Sequence, residues 1–389
     1  MERADVVVVG AGIFGASTAY QLCRAGAGRV LLLDREGLCA GDSGRTFGMV
    51  RRHYSNAVTA RLAMRGTQTI IDWADEVGVG DAGYVRTGYL LTVPEQLVSV
   101  CRDNVARLQA LGLETSFVEA HEIPELEPLL SLDGIAGAAY EPDGGFADVH
   151  KLVLGWFAAA THLGLASRMG CTVTEILTDG GRVTGVRTDQ GEIAADRVVL
   201  ATGAWGPELV RPLGLELPIG LRRIQVAVLR QPVGHPRPNV LCSDSVTNVV
   251  VRPDRGALVY AVTYFEESPL ERADDCDHGL SPGYEAAVRR AFAERYPKLV
   301  GAELVTGWAG PYDYPPDWNP ILGWAPGVDG LYLVLGWSGH GFKLSPAVGE
   351  VVAAEVVDAV PPIDVSELRP ERFERGELLR LAYGPGARA

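Results

Sequence analysis

Four consecutive valines, Val6–Val9, run directly into Gly10-Ala11-Gly12-Ile13-Phe14-Gly15. A short unbroken apolar run is what a strand buried on both faces requires. Ala16–Arg24 then reads as a helix that stops near Gly26, and Val30–Leu33 as a second buried strand ending at Asp34. A strand, a glycine turn, a helix and a second strand within about 30 residues make one dinucleotide-binding βαβ unit. Gly10 makes the tight turn, Gly12 lets backbone approach a pyrophosphate, and Gly15 lets the helix lie against the strand. The helix start offers unpaired N–H groups and the positive end of its dipole to phosphate. Asp34 stands about 20 residues beyond Gly15, where an acidic side chain accepts from a ribose diol. No second G-x-G-x-x-G for a nicotinamide is visible. One tightly held FAD, reduced by the substrate itself, is therefore expected.

Beyond this unit the spacing predicts helices over 60–77, 94–113, 148–163 and 282–296. It predicts strands at Val85–Val93, Val173–Leu177, Val183–Thr188, Glu192–Ala195 and Arg197–Leu200. Gln225–Leu229, Val246–Val251, Ala257–Val262 and Leu331–Leu335 follow as further strands. Ser345-Pro346 looks like the cap and first position of a last helix, through about Ala359. The pattern is α/β (α+β) with a β-rich insert, so two interleaved domains are expected rather than two consecutive ones.

Composition removes several function classes. With 49 acidic against 35 Lys and Arg residues, the net charge of −14 repels a phosphate backbone, so no nucleic-acid partner is expected. No apolar run approaches the roughly 20 residues of a membrane span. The start lacks the basic and apolar stretches of a signal peptide. Six scattered cysteines with no C-x-x-C pair suggest neither a metal site nor disulfides, and point to a cytoplasmic protein. Lysine occurs only as Lys151, Lys298 and Lys343. The first two read as surface residues.

Later motifs carry a family resemblance. They are G-D-S-G-R-T-F-G-M-V-R-R-H-Y-S at Gly41–Ser55, R-T-G-Y-L at Arg86–Leu90, and D-G-G-F-A-D-V-H-K-L at Asp143–Leu152. A-T-G-A-W follows at Ala201–Trp205, W-A-G-P-Y-D-Y-P-P-D-W-N-P-I-L-G at Trp308–Gly323, and G-W-S-G-H-G-F-K-L-S-P at Gly336–Pro346. Together with Val6–Gly15 they span nearly the whole chain. The chain resembles the D-amino-acid-oxidase-type flavoproteins, most of all the sarcosine oxidase, dimethylglycine dehydrogenase and proline dehydrogenase β-subunit branch. That resemblance implies a Rossmann-like FAD-binding domain over 1–86, 141–210 and 306–389, interleaved with a substrate-binding domain over 87–140 and 211–305 that is built on a large antiparallel sheet. It also implies oxidation of an amine beside a carboxylate, with hydride passing to flavin N5 and hydrolysis of the product imine.

It also implies site residues. Arg51 matches the family's carboxylate-binding arginine, with Arg52 as the neighbour if the register slips, and Lys343 matches its second carboxylate ligand. A fixed fork and a point charge are what a buried carboxylate needs. Expected cofactor contacts are Gly10, Gly12, Ile13, Phe14 and Gly15, then Asp34 and Arg35, then Ser43 and Thr46. Val173, Thr202, Gly203 and Trp205 follow, with Gly336, Gly339, His340, Gly341, Phe342 and Lys343 beside the flavin ring. His340 is read either as a flavin contact or as a structural histidine. Tyr54, Tyr260, Tyr264, Tyr312, Tyr314 and Trp337 are candidate pocket aromatics, of which Tyr312 and Tyr260 are taken as catalytic. No residue is forced as catalytic base.

Two departures from the family matter. Its covalent members hold the flavin through a cysteine in the segment matching Trp308–Asp317, which has none here. Non-covalent FAD is expected, unless a histidine such as His53 forms the bond. Arg255–Val262 also lacks the oxygen-activating lysine and substrate-side histidine of the sarcosine oxidases, leaving oxygen or another electron acceptor open. That points to a substrate bulkier or less polar than sarcosine. The expected reaction is C–N oxidation of a small secondary or tertiary amine, N-alkyl or cyclic, that carries a carboxylate. The alternatives are deamination of glycine or a D-amino acid, or an electron-transferring subunit or assembly factor that needs a partner chain.

Overall fold

The computed structural model describes residues 2–232, 234–263, 269–299 and 301–384. Tyr264 lies outside them. At the centre is a sheet of parallel strands. β1 (Glu2–Val9) pairs with β2 (Val30–Asp34) on one side and with Gly191–Leu200 on the other. Ala166–Met169 and Leu331–Leu335 extend the parallel row at its two ends. Val6 and Val8 enter one apolar core while Val7 and Val9 enter a second on the opposite face. This burial on both faces is why the strand carries no polar alternation. Helix α1 (Ile13–Arg24) covers one face together with Gly341–Val356.

A second sheet of nine strands is mostly antiparallel. Gly220–Arg230 pairs with Glu303–Tyr314 along its length and with Leu258–Thr263. Val249–Pro253, Leu241–Asp244, Tyr89–Val93, Gly137–Glu141 and Ser116–Glu119 follow in order. Residues 306–314, grouped above with the nucleotide-binding part, thus belong to a strand of the antiparallel sheet. Directly opposed residues share a face. The register therefore puts Tyr312, Gly310, Trp308, Arg222, Ile224 and Tyr260 on one face, continuing through Arg252.

Three local expectations are corrected. Val85–Val93 is two strands in different sheets, Val85–Arg86 and Tyr89–Val93. The chain turns at Gly88, whose φ of 76° and crowding by the Tyr140 ring exclude a side chain. Glu192–Ala195 and Arg197–Leu200 are one strand, because β1 pairs with it continuously across Asp196. The last long helix begins at Gly341, so Ser345 and Pro346 lie inside it rather than at its start. Proline has no N–H for the Phe342 carbonyl, and Ser345 Oγ donates to that oxygen instead, at 2.8 Å. Lys343 is consequently the third residue of the helix and not a loop residue before it. Among the described residues no helix is long and apolar enough to cross a membrane.

Candidate active site

A cleft of about 490 Å³ opens at the carboxyl ends of β1 and β2. Gly10 turns the chain with φ of 101°. A Cβ on Gly15 would stand 1.7 Å from the Gly10 carbonyl oxygen, so only glycine permits this strand–helix contact. Ile13 N donates to Ser43 Oγ at 2.9 Å, which ties the 41–46 segment to the first turn of α1. Asp34 accepts from Ala11 N at 2.7 Å through one carboxylate oxygen. Its other oxygen accepts from Glu36 N and Gly37 N at 2.8 and 2.9 Å. The carboxylate is thereby fixed at the strand end where a ribose would lie. Arg35 stacks on Trp205 with 4.5 Å to the ring and pairs with Asp274 at 3.0 Å.

The far wall comes from the second sheet and from the 337–342 turn. Ile224, Gly310, Tyr312 and Asp313 face Trp337, Gly339, Gly341 and Phe342. Phe14 stacks on Trp337 with centroids 3.9 Å apart. The Asp313 carboxylate accepts from Gly336 N and Trp337 N at 2.8 and 3.2 Å, and so sets that turn. Tyr312 donates to the Ser338 carbonyl. Thr46, Val173, Thr202 and Gly203 complete the expected wall residues. Gly15, Gly336, His340 and Lys343 are not on it.

A flavin dinucleotide fits these residues. The cleft joins a helix N-terminus, an oriented carboxylate and an apolar ring-stacking wall. Three residues that line it carry a buried polar atom, Thr202 Oγ1, Asp42 Oδ1 and Trp337 Nε1, with no hydrogen-bond partner among the described residues. Buried polar atoms in that state are satisfied by water or by a polar ligand, and in a cleft of this size a dinucleotide can supply the partners. Asp42, Cys171, Thr172 and Asp274 also line the cleft, and sequence reasoning does not single them out. Asp42 lies inside one of the family motifs, whereas Asp274 arrives from a distant segment with no motif of its own.

A second group of predicted residues converges behind the 337–342 turn. Arg51 is buried, donates to the His53 carbonyl, and lies 3.3 Å from His340 Nδ1. Its guanidinium stands 4.4 Å from the centre of the Tyr54 ring, and Lys343 Nζ stands 5.5 Å from the same ring. Tyr54 Oη is 3.1 Å from His340 Nδ1. Arginine can only donate, so His340 Nδ1 accepts and Nε2 carries the proton. Burial, Lys343 and Arg51 hold that imidazole neutral, well below the usual histidine range. Burial and then Arg51 likewise push Lys343 well below the usual lysine range.

Arg52 points elsewhere. Its N–H donates to both Glu141 oxygens at 3.1 and 2.9 Å, and its Nε to Oε2 at 3.2 Å. His53 is buried between Tyr383 and Asn104, 2.8 and 2.9 Å from its Nε2, and is not on the cleft wall. Tyr260 lies under the Arg252 guanidinium at 3.8 Å and against Phe47 and Trp308, also off the cleft wall.

A parallel sheet with a glycine-turn phosphate site, closed by an antiparallel sheet across the cleft, defines a dinucleotide-binding protein. The family model described as FAD dependent oxidoreductase matches residues 5–355, and the chain belongs to that family. It is 26% identical to the mitochondrial dimethylglycine dehydrogenase of Rattus norvegicus over 96% of this chain and 45% of that one. It is 26% identical to the sarcosine oxidase subunit beta of Rhodobacter capsulatus over 99% of this chain and 92% of that one. The chain thus spans about half the length of the mammalian relative. The L-proline dehydrogenase structure from P. horikoshii superposes with a TM-score of 0.89 at 25% identity, over 97% of this chain and all of that one.

Proposed function

We propose that the protein oxidises the C–N bond of a small secondary or tertiary amino or imino acid, N-alkyl or cyclic. The observation that carries this reading is the pair of buried cationic side chains, Arg51 and Lys343, over one Tyr54 ring beside the 337–342 wall. Cations in a closed site suit a carboxylate. Relatives named for dimethylglycine, sarcosine and proline support an N-alkyl or cyclic amine.

FAD, when bound, supplies the hydride acceptor at N5. Arg51 clamps the substrate carboxylate with its fork, and Lys343 adds a point charge. Neutral His340 keeps Arg51 in place by accepting at Nδ1. Trp337, Phe14 and Phe342 exclude water from the wall of the cleft. An ammonium must lose its proton before hydride leaves, and water in the site takes it. The flavin is held non-covalently in this reading, and the protein is cytoplasmic with its six cysteines free.

Anaerobic titration with N-methyl and cyclic amino acids tests the proposal. Flavin bleaching is expected, and no bleaching with any secondary amino acid would sink it. Release of ammonia, instead of a methylamine, formaldehyde or a cyclic imine, would move the reading to a primary amino acid. Reoxidation by dye but not oxygen would assign a dehydrogenase.

A further inference from the structure

Asp42 has no part in the reaction described above. It lies in the one-turn helix Asp42–Arg45, next to Ser43, whose Oγ touches the start of α1. It lines the cleft, and its Oδ1 is buried without a hydrogen-bond partner among the described residues. Its carboxyl stands close to both walls: a Cβ on Gly310 would lie 3.6 Å from Oδ1, and one on Gly203 3.6 Å from Oδ2.

The nearby cations are committed elsewhere. Arg45 Nη1 donates to the carbonyls of Ala40 and Gly41 at 2.8 and 2.9 Å. Arg35 pairs with Asp274 and Glu36. Across the cleft stands Asp313, a second buried carboxyl. A charged Asp42 would add a like charge to a site that must also admit a diphosphate. We propose that Asp42 is a cofactor-binding residue that acts as a hydrogen-bond donor, its carboxyl proton meeting an acceptor on the bound FAD.

Burial first, and then Asp313, push the Asp42 carboxyl up to about 8, against the opposing pull of Arg45 and Arg35. The other titratable groups near it are Cys276, whose thiol burial raises, and His150, which packs against Gly44 of the same turn. If only the protonated carboxyl receives FAD, binding is linked to one proton. Affinity is then constant below the carboxyl's pKa and falls tenfold per pH unit above it.

The proposal rests on FAD as the cofactor. Its test is titration of FAD-free protein with FAD between pH 6.5 and 9.5, followed by quenching of flavin fluorescence, with circular dichroism at each pH. Wild-type Kd should be flat at the acid end and climb towards about tenfold per unit at the alkaline end. Asp42→Asn keeps a donor that does not titrate. Its Kd should lie within about threefold of wild type at pH 7 and stay flat across the range. Cys276→Ser should keep the wild-type slope. Tight, pH-independent binding by wild type, or an equal slope in Asp42→Asn, would overturn the role of Asp42 alone. Absence of FAD binding at every pH would overturn the cofactor assignment with it.

Discussion

Two buried cations of this protein have opposite surroundings. Arg295 is 1% exposed and meets Asp244, which is 1% exposed, with Nε 2.8 Å from Oδ2. Its Nη1 donates to the Ser131 carbonyl at 2.5 Å, and Asp244 also accepts from Thr92 and from the Thr247 amide. Lys343 is 3% exposed and forms no ion pair among the described residues. Its neighbours are the Tyr54 ring and the charge of Arg51, opposed by a weaker pull from the Glu141 carboxylate that Arg52 already engages. The first arrangement is closed: every charge has its answer inside the chain. The second is open, and a closed protein would gain by replacing it with an apolar side chain. A buried cation with no carboxylate paired to it among the described residues is best explained by an anion that comes and goes.

The sharpest way to break this contrast is to disturb the closed pair. Arg295→Met leaves Asp244 buried and uncompensated, which costs about 3–5 kcal/mol. A large fall in Tm is expected, measured by thermal unfolding, with the FAD-loaded fraction following the folded fraction. A Tm within a degree or two of wild type would mean that the pair carries little and that the contrast is false.

In the open site the same kind of change should strike function instead. Arg51→Met removes the proposed carboxylate fork. Truncating one partner of a buried charge pair costs about 2–5 kcal/mol in binding. A fall in kcat/KM of roughly 30-fold to several thousandfold is therefore expected, with FAD still bound. Retained kcat/KM would remove Arg51 from the site. Lys343→Met should act more mildly, about tenfold to a hundredfold and chiefly in KM, because a point charge offers less than a fork. Its Tm should equal or exceed wild type, the opposite sign to Arg295→Met.

How far the sequence reveals each region follows from the same distinction. The cofactor side is built from contiguous backbone: Val6–Gly15 and Asp34 lie within one βαβ unit, so their spacing alone describes their geometry. Ser43 and the 336–342 turn need the family motifs, because nothing local says that Ser43 Oγ reaches Ile13 N. The motif around Lys343 points to the right residue but to the wrong local structure. The Ser-Pro pair imitates a helix start, and only the Ser345 hydroxyl bond to Phe342 shows how the helix runs through the proline. The partner of Arg52 is not legible at all. Glu141 comes from a strand of the other sheet, and no spacing rule joins residues 52 and 141.

The smallest expected effect distinguishes an open cation from a closed one by proton count. Burial and Arg51 lower the Lys343 pKa in the folded protein, so between that value and the ordinary lysine value the unfolded chain binds more protons. Stability should therefore rise with pH across this window, and Lys343→Met should flatten the rise. A bound carboxylate supplies the missing opposite charge and raises the same pKa again. Binding of an unreactive carboxylate in the window should then take up a fraction of a proton, with affinity falling as pH rises. Calorimetry in two buffers of different ionisation enthalpy measures that uptake directly. Uptake that disappears in Lys343→Met locates the carboxylate beside this lysine. Uptake that survives the substitution places the proton on another group and breaks the link between the open cation and the substrate.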